Sequence, residues 1–243
     1  MIDIHNHLLP GIDDGAQDMA EALAMARLAV ADGITHLVCT PHIHPGLYDN
    51  TAGGIAATLE SYRAAIAEAR IPLAVAAAAE VRFGLEVMSG AMAGSLPFLG
   101  EWEGQQVLLL EFPHTEVPFG AERLTEWLID RDIRPLIAHP ERNRDIINDV
   151  GRLGPFLSQG CLTQVTASAL TGQFGEASQQ RAEQLVMDGQ ATCLASDAHN
   201  TRNRVPCLAR GDEAAAALVG QEAARTLSHD NPWRIVRGHF NAG

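Results

Sequence analysis

The sequence is short of the residues that a thiol-based site would need. It has four cysteines, at positions 39, 161, 193 and 207, and no two of them stand at the short spacing of a metal-binding or disulfide pair. A cysteine nucleophile in a phosphate loop needs an arginine a short fixed distance after it, and the corresponding positions here hold Pro45, Ala167, His199 and Glu213. We therefore exclude cysteine-based phosphate chemistry and expect a reducing compartment for these thiols.

Long apolar runs are also missing. No stretch reaches the ~18 consecutive apolar residues of a membrane span, and no basic segment precedes an apolar one near Met1. We expect neither a membrane span nor a signal peptide, and we predict a cytoplasmic protein. The chain also lacks a Gly-x-Ser-x-Gly elbow and a nucleotide phosphate loop, which argues against serine hydrolases and P-loop enzymes.

Basic residues are scarce relative to acidic ones. The chain has 17 Lys and Arg against 30 Asp and Glu, which gives a net charge of −13 at pH 7. A nucleic-acid substrate is therefore disfavoured, because such a surface repels a phosphate backbone unless bound metal ions reverse the local field. The acidic residues are spread along the chain, and we expect some of them to be metal ligands.

The composition fits one folded domain of the α/β class. The 243 residues are 47% apolar, no linker-like tract divides them, and we predict a single domain spanning residues 1–243. Short apolar runs alternate with amphipathic stretches, which is the pattern of βα units around a parallel sheet. Seven strands are predicted, at Ile2–His5, Thr35–Thr40, Leu73–Ala79, Gln106–Phe112, Pro135–His139, Thr163–Thr166 and Ala191–Ser196.

The helices between these strands show their own signals. Asp18 followed by Glu21 forms a capping-box pattern, and it predicts a helix that begins there and ends near Gly33. Helical spacing of apolar residues recurs at Ile55–Ala69, Leu124–Leu128 and Ala182–Val186. Each predicted helix would cover one face of the sheet.

Residue types that bind metal ions recur at the ends of the predicted strands. His5 and His7 leave the first strand on the same face, while Glu80 and Glu111 follow apolar runs where an unpaired carboxylate is costly to bury. This nitrogen and oxygen set, without thiolates, suits manganese, iron or zinc better than calcium or magnesium. The complete candidate set is His5, His7, Asp14, His42, Glu80, Glu111, His139, Asp197 and His199.

Each candidate ligand also has an ordinary structural interpretation. His5 and His7 can be surface histidines, Asp14 can belong to a turn, and Glu80 can form an ion pair with Arg82. The recurrence at successive strand ends favours a multinuclear metal site instead. It also favours a closed barrel over an open doubly wound sheet, because a barrel brings all carboxyl ends of its strands to one rim.

Two arginines lie close to this candidate set. Arg142 and Arg204 each follow a candidate histidine ligand within a few residues. A guanidinium beside metal ions suits a bidentate anion such as phosphate, and the alternative is charge balance for the ligand carboxylates. Three further candidates for substrate contact are His44, His114 and Arg202.

A series of motifs along the chain resembles one family. The motifs are MIDIHNH at 1–7, DDG at 13–15, TPH at 40–42, EFP at 111–113, HPER at 139–142 and SDAHN at 196–200. They are similar to those of the polymerase and histidinol phosphatase (PHP) superfamily, and within it to the bacterial capsule and exopolysaccharide tyrosine phosphatases of the CpsB/CapC type. The resemblance runs from residue 1 to about residue 204, and includes GLYDN at 46–50 and VTASALTG at 165–172. One departure is His42-Ile43-His44, where many relatives have a second histidine directly after the first.

The resemblance implies a fold and a ligand assignment. The fold would be a distorted seven-stranded (β/α) barrel of the PHP type, with three divalent metal ions, most often manganese, and iron or zinc as alternatives. Arg142 and Arg204 would bind the substrate phosphate. The implied ligands are His5, His7, Glu80 and Asp197 for one ion, Glu80, Glu111 and His139 for a second, and Asp14, His42 and His199 for the third.

The resemblance also implies an activity and a partner. The protein would be a metal-dependent phosphomonoesterase that removes phosphate from tyrosine in a protein, with a metal-bound hydroxide as the nucleophile. The implied partner is a membrane-bound bacterial tyrosine autokinase that controls polysaccharide synthesis. The alternatives are a small-molecule phosphatase of the same superfamily, such as one acting on histidinol phosphate, a catalytically silent metal-binding module and, less favoured by the acidic charge, a nuclease. The sequence leaves the oligomeric state open.

Overall fold

The computed structural model describes residues 1–240, and the last three residues of the predicted domain lie outside the described residues. Its strands are β1 Ile2–Asp3, β2 His36–Cys39, β3 His42–Ile43, β4 Ala74–Ala77, β5 Glu80–Arg82, β6 Gly100–Trp102, β7 Gln105–Glu111, β8 Ile133–Ala138, β9 Leu162–Thr166 and β10 Cys193–Ala195. Its α-helices are α1 Met19–Ala31, α2 Ala52–Glu68, α3 Leu85–Ala93, α4 Ala121–Ile129, α5 Arg144–Asn148, α6 Gly154–Ser158, α7 Glu176–Met187, α8 Ala209–Val219, α9 Gln221–Arg225 and α10 Asn231–Val236.

The strands form two mostly parallel sheets. The smaller sheet has the order β1-β2-β4, and the larger has the order β10-β9-β8-β7-β5-β3, with β6 antiparallel to β7 at its side. Each of the seven predicted strands is present in some form. The second predicted strand corresponds to β2 and the third to β4, whereas β3, β5 and β6 lie outside the predicted strands.

The prediction of a closed seven-stranded barrel is not confirmed. The ladders of residues 1–240 do not form one continuous closed sheet, because β1, β2 and β4 pair only with one another. An isolated parallel bridge between Asn6 and Ala198 connects the regions beyond β1 and β10. Pro41 has no N–H to donate where β2 stops, which is one physical reason for the interruption. The architecture is an α/β fold with an open, mostly parallel arrangement.

The helix predictions are confirmed by local hydrogen bonds. The Asp18 side chain accepts a hydrogen bond from the backbone N–H of Glu21, which satisfies one of the unpaired donors at the start of α1. Thr51 caps α2 in the same way through the N–H of Gly54. These side-chain hydrogen bonds fix the residues at which α1 and α2 begin.

The C-terminal segment closes the end of the fold opposite the candidate ligands. Asn231 donates from its side chain to the carbonyl oxygen of Thr192, just before β10, and the Trp233 ring packs against His36 at the start of β2. Ile235 and Val236 are buried in the same cluster as inward-facing strand residues such as Leu109. Within residues 1–240, no helix combines the length and apolar character needed to cross a membrane.

Two helical glycines offer a matched test of this packing. A Cβ added to Gly211 in α8 would lie 2.6 Å from both the Cβ and the carbonyl oxygen of Ala167, whereas one added to Gly53 in α2 would meet nothing within 4 Å. We expect Gly211→Ala to lower the free energy of unfolding by about 1–3 kcal/mol through overpacking. Gly53→Ala should raise it by about 0.5–1 kcal/mol. Urea denaturation measures both changes, and equal effects would contradict the close approach of α8 to Ala167.

Candidate metal centre

The nine predicted ligands converge at the carboxyl ends of the strands. They come from the segments that follow β1, β2, β4, β8 and β10, from the end of β7 and from the turn after β1; His42 and Glu80, which follow β2 and β4, are also the first residues of β3 and β5. His5, His7, Glu80 and Asp197 are essentially inaccessible to solvent, while the Asp14 side chain is 46% exposed. The site therefore has a buried floor and one open side.

Glu80 lies at the centre of the buried floor. Its Oε2 is 3.2 Å from His5 Nε2, 3.4 Å from His7 Nε2 and 3.0 Å from His42 Nδ1. Its Oε1 is 3.0 Å from His139 Nε2. A carboxylate that faces four histidines with its two oxygens has the geometry of a bridging ligand.

The open side is formed by Asp14 with two histidines. Asp14 Oδ1 lies 3.4 Å from both His42 Nε2 and His199 Nε2. One nitrogen or oxygen atom of each of these residues and of His7 lies within 4.8 Å of all the others. The three residues that the resemblance implies for one ion are therefore brought together.

Glu111 departs from its implied grouping. Its Oε1 is 3.0 Å from Arg82 Nη1, and its nearest grouping of potential ligands is with His42 and Glu80. His139 groups with His5 and Asp197 instead. The ion pair with Arg82 that the sequence suggested for Glu80 is thus formed by the next carboxylate along the sheet.

Burial and neighbouring charges shift the pKa values of the cluster in both directions. Burial opposes protonation of His5, but the charges of Glu80 and Asp197 raise its pKa above the usual range. Burial, followed by the charge of Arg142, lowers the pKa of His139 to about 3, and burial lowers the pKa of His42 to about 4. Both rings are therefore neutral at pH 7. Burial opposes ionisation of Glu80, but the charge of His5 and the hydrogen bonds with His139 and His5 hold its pKa well below the usual range. For Glu111, burial and the Glu80 charge raise the pKa to about 7.

The unpaired atoms of the site provide an independent test of fit to a metal. His5 Nε2, His7 Nε2, His42 Nδ1 and Glu80 Oε2 are buried and make no hydrogen bond among the described residues. Buried polar atoms without partners are costly in a folded protein. Here all four atoms face one another, so a cation bound between them would satisfy them together. The residues present therefore fit divalent metal ions.

Arg142 and Arg204 converge on one oxygen of Asp197. Arg204 Nη2 donates to Asp197 Oδ2 at 2.5 Å, and Arg142 Nη1 donates to the same atom. This is the charge-balancing contact that the sequence left open as an alternative. Both guanidinium groups also line a pocket of about 240 Å³ above the buried ligands, where they are accessible to an anion.

The remaining substrate candidates divide into two groups. His44 and His114 line the pocket, and His114 Nε2 is 3.2 Å from Arg142 Nη2. Arg202 is exposed and is not part of the pocket wall. Leu47 and Tyr48 also line it, and the Tyr48 ring stacks on His42 with centroids 5.5 Å apart.

Sequence reasoning missed two carboxylates that support the ligands. Asp13, which the sequence identifies only as part of the DDG motif at 13–15, accepts from His7 Nδ1 at 2.7 Å and from the backbone N–H of His42 at 3.1 Å. Asp3 is fully buried and accepts from the backbone N–H and the hydroxyl of Ser196. Both stand in the motifs that carry the ligands, so their polar character at buried positions was the available signal.

The central position of Glu80 leads to a testable expectation. Glu80→Ala removes the carboxylate that faces four histidines, so the protein should retain less than half of the manganese bound by the wild type after loading and gel filtration. Glu60→Ala, at an exposed glutamate on α2, is the control and should retain the wild-type content. Elemental analysis measures both, and circular dichroism checks that each variant is folded. Equal metal content in all three proteins would show that Glu80 is not a ligand.

Comparison with known proteins points to one family. The family model for capsular polysaccharide synthesis, CpsB/CapC, matches residues 1–237. The match extends past residue 204, where the recognisable motifs end, and so includes helices α8 to α10.

Named relatives and a solved structure agree with this match. The tyrosine-protein phosphatase YwqE of Bacillus subtilis (strain 168) is 36% identical over 204 residues, covering 84% of this chain and 79% of that protein. The tyrosine-protein phosphatase CpsB of Streptococcus pneumoniae is 28% identical over 242 residues, covering 97% and 98%. A crystal structure from a study of these two proteins, described as unique metal-dependent tyrosine phosphatases, matches with a TM-score of 0.91 at 33% identity over 98% of this chain and 94% of that chain.

Proposed function

Since the chain belongs to the CpsB/CapC family, we propose that it is a metal-dependent protein tyrosine phosphatase of capsule or exopolysaccharide synthesis. The observation that carries this proposal is the convergence of nine candidate histidine and carboxylate ligands, seven of which line one pocket together with Arg142 and Arg204. We take residues 1–243 as a single PHP-type metallophosphatase domain. The same arrangement argues against a silent binding module, because the complete ligand set is retained.

The proposed cofactors are three divalent metal ions, most simply manganese, with iron or zinc as alternatives. Nitrogen and oxygen ligands without thiolates suit these ions. When bound, such ions would supply Lewis acidity, which lowers the pKa of a coordinated water and offsets the charge of a phosphate group. They would be held by His5, His7, Asp14, His42, Glu80, Glu111, His139, Asp197 and His199, with Glu80 shared between two of them.

Arg142 and Arg204 have the proposed role of holding the substrate phosphate. Their guanidinium groups reach the pocket from the loops after β8 and β10, and both are held at Asp197 Oδ2. Fixed donors of this kind stabilise the charge that develops on phosphate oxygens during transfer. His114, beside Arg142, would complete this edge of the pocket.

The pocket favours an ester whose leaving group needs little protonation. Burial, followed by the charge of Arg142, lowers the pKa of His114 to about 4, so its ring is neutral at pH 7 and is a poor proton donor. A phenol-type leaving group departs more easily than an alkoxide, which fits phosphotyrosine better than phosphoserine. Tyr48 and Leu47 provide the non-polar part of the pocket wall.

The proposed substrate protein is a membrane-bound tyrosine autokinase of polysaccharide synthesis. The support for this partner is the family membership and the naming of relatives as tyrosine-protein phosphatases. We propose a cytoplasmic location, since all four cysteines are free and three of them are buried.

A substrate panel tests the activity. With added manganese, we expect phosphotyrosine peptides to be hydrolysed with a kcat/KM at least tenfold above that for phosphoserine peptides, histidinol phosphate or oligonucleotides. Removal of metal by a chelator should abolish turnover, and manganese should restore it. Preferential hydrolysis of histidinol phosphate would favour the small-molecule alternative, and full activity in chelator would reject the metal-dependent mechanism.

The role of the two arginines requires a separate test. Loss of a fixed donor to the developing charge costs on the order of 3 kcal/mol, or about a hundredfold in turnover, and we expect this from Arg142→Ala and from Arg204→Ala. Lysine keeps the charge but loses the paired donors, so Arg142→Lys and Arg204→Lys should recover only part of the rate.

Arg202→Ala is the matched control, because Arg202 is a nearby exposed arginine outside the pocket wall, and its turnover should stay at the wild-type level. Metal content and melting temperature are measured alongside. If the alanine variants at Arg142 and Arg204 lose metal or stability while the rate per bound metal is normal, the arginines only balance the charge of Asp197.

A further inference from the structure

Strand β9 supplies none of the nine candidate ligands, yet one of its side chains reaches the site. Gln164 lies in the middle of β9, between Ala138 of β8 and Cys193 of β10 in the ladder, and is fully buried. Its Oε1 is 2.7 Å from His5 Nδ1. The amide therefore contacts the ring nitrogen of His5 that does not face Glu80.

The orientation of this amide is fixed by a second donor. The backbone N–H of His139 also points at Gln164 Oε1, at 3.4 Å. A backbone N–H needs an acceptor, so the atom that receives it is the amide oxygen and not the amide nitrogen. His5 Nδ1 must then carry the proton of the shared hydrogen bond. In the neutral form of the ring, which is the form that binds a metal ion, the lone pair is then on Nε2, and this atom faces Glu80 at 3.2 Å and Asp197 at 3.5 Å.

A purely structural role does not explain a glutamine at this position. Its Nε2 is buried and has no hydrogen-bond partner among the described residues. A buried amide with unpaired donors is unfavourable compared with an apolar side chain of similar size. The neighbouring inward positions of the sheet are indeed filled by apolar residues such as Leu109 and Leu136. The oxygen of Gln164 is the group that accounts for its presence.

Other histidines of the site are oriented in comparable ways. Asp13 Oδ2 accepts a hydrogen bond from His7 Nδ1 at 2.7 Å, and the carbonyl oxygen of Asp197 lies 3.0 Å from His199 Nδ1. In each case one ring nitrogen is occupied and the other faces the cluster. Partners of this kind fix the tautomer and orientation of a metal-binding histidine.

We infer that Gln164 is a positioning residue for the metal centre: its amide oxygen holds the Nδ1 proton of His5, so that Nε2 is presented to a divalent ion. The inference rests on the proposed metal site. It adds to that site a neutral hydrogen-bond acceptor on β9, a strand that supplies none of the candidate ligands. A neutral amide orients the ring without adding negative charge beneath two buried carboxylates, Glu80 and Asp197.

The test compares two substitutions in protein stripped of metal and titrated with manganese. Gln164→Leu keeps the approximate size but removes the acceptor, and should weaken manganese binding by about 10- to 100-fold. Gln164→Glu keeps an acceptor oxygen and should bind manganese at least tenfold more tightly than Gln164→Leu. Isothermal titration calorimetry measures the affinities without reference to activity. Equal affinity of wild type and Gln164→Leu, or no rescue by Gln164→Glu, would overturn the inference.

Gln105→Leu is the matched control for loss of a glutamine acceptor from the sheet. Gln105 lies at the amino end of β7, away from the cluster, and its Oε1 accepts a hydrogen bond from Arg134 Nε at 2.7 Å. This variant should keep the wild-type manganese affinity. If it loses affinity to the same extent as Gln164→Leu, the effect is general and the positioning role is rejected.

A spectroscopic measurement addresses the tautomer directly and does not require any variant to fold. In wild-type protein loaded with zinc, which is diamagnetic, the ¹⁵N spectrum of His5 should show a protonated Nδ1 and a metal-bound Nε2. A metal-bound Nδ1 would overturn the inference. Absence of manganese or zinc binding by the wild type would reject the proposed metal site as well, whereas normal wild-type binding with an unaffected Gln164→Leu variant rejects only the role of Gln164.

Discussion

The structure depends on the burial of carboxylates at the carboxyl ends of its strands. Glu80 and Asp197 are each 1% exposed, and an isolated ionised carboxylate at such depth is strongly unfavourable. Arg142 and Arg204 pair with Asp197, whereas His42 and His139 are held neutral by burial and add no positive charge. A cation bound between the candidate ligands would stabilise both carboxylates further, and this connects the fold to metal binding.

The register of the strands is kept where the chain passes from the smaller sheet to the larger one. In β2 and β4, His36 pairs with Ala74 and Cys39 with Ala77, and beyond the break His42 pairs with Glu80 at the same offset. Within the gap, the backbone N–H of Glu80 donates to the carbonyl oxygen of Pro41 at 3.2 Å. The constant register of these two segments therefore places two central candidate ligands side by side.

Much of the fold and the site could be predicted from the sequence because both rest on local patterns. Apolar runs predicted seven of the strands, and Asp18 predicted the start of α1. Ligand-type residues at the ends of the predicted strands indicated the members of the cluster. The side chain with which each of these residues pairs could not be predicted, because such pairs depend on distances between segments far apart in the chain. Arg82 pairs with Glu111 instead of Glu80, and Gln164 meets His5 across 159 positions of sequence. Neither pairing leaves a periodic signal.

The backbone at two candidate ligands, His139 and Asp197, shows how the chain turns inward at the end of its strands. His139 has φ of 33° and Asp197 has φ of 50°, in a region that non-glycine residues seldom adopt. Each peptide is held by a neighbouring strand end, since the Asp197 N–H donates to the carbonyl oxygen of His5 at 2.8 Å and the His139 N–H donates to Gln164. Strained residues persist only where the surroundings over-determine them, and they concentrate at functional sites. The hydrogen bonds that hold these two turns also connect the ends of β1 and β10 and of β8 and β9. The same contacts therefore position the candidate ligands and hold the strand ends together.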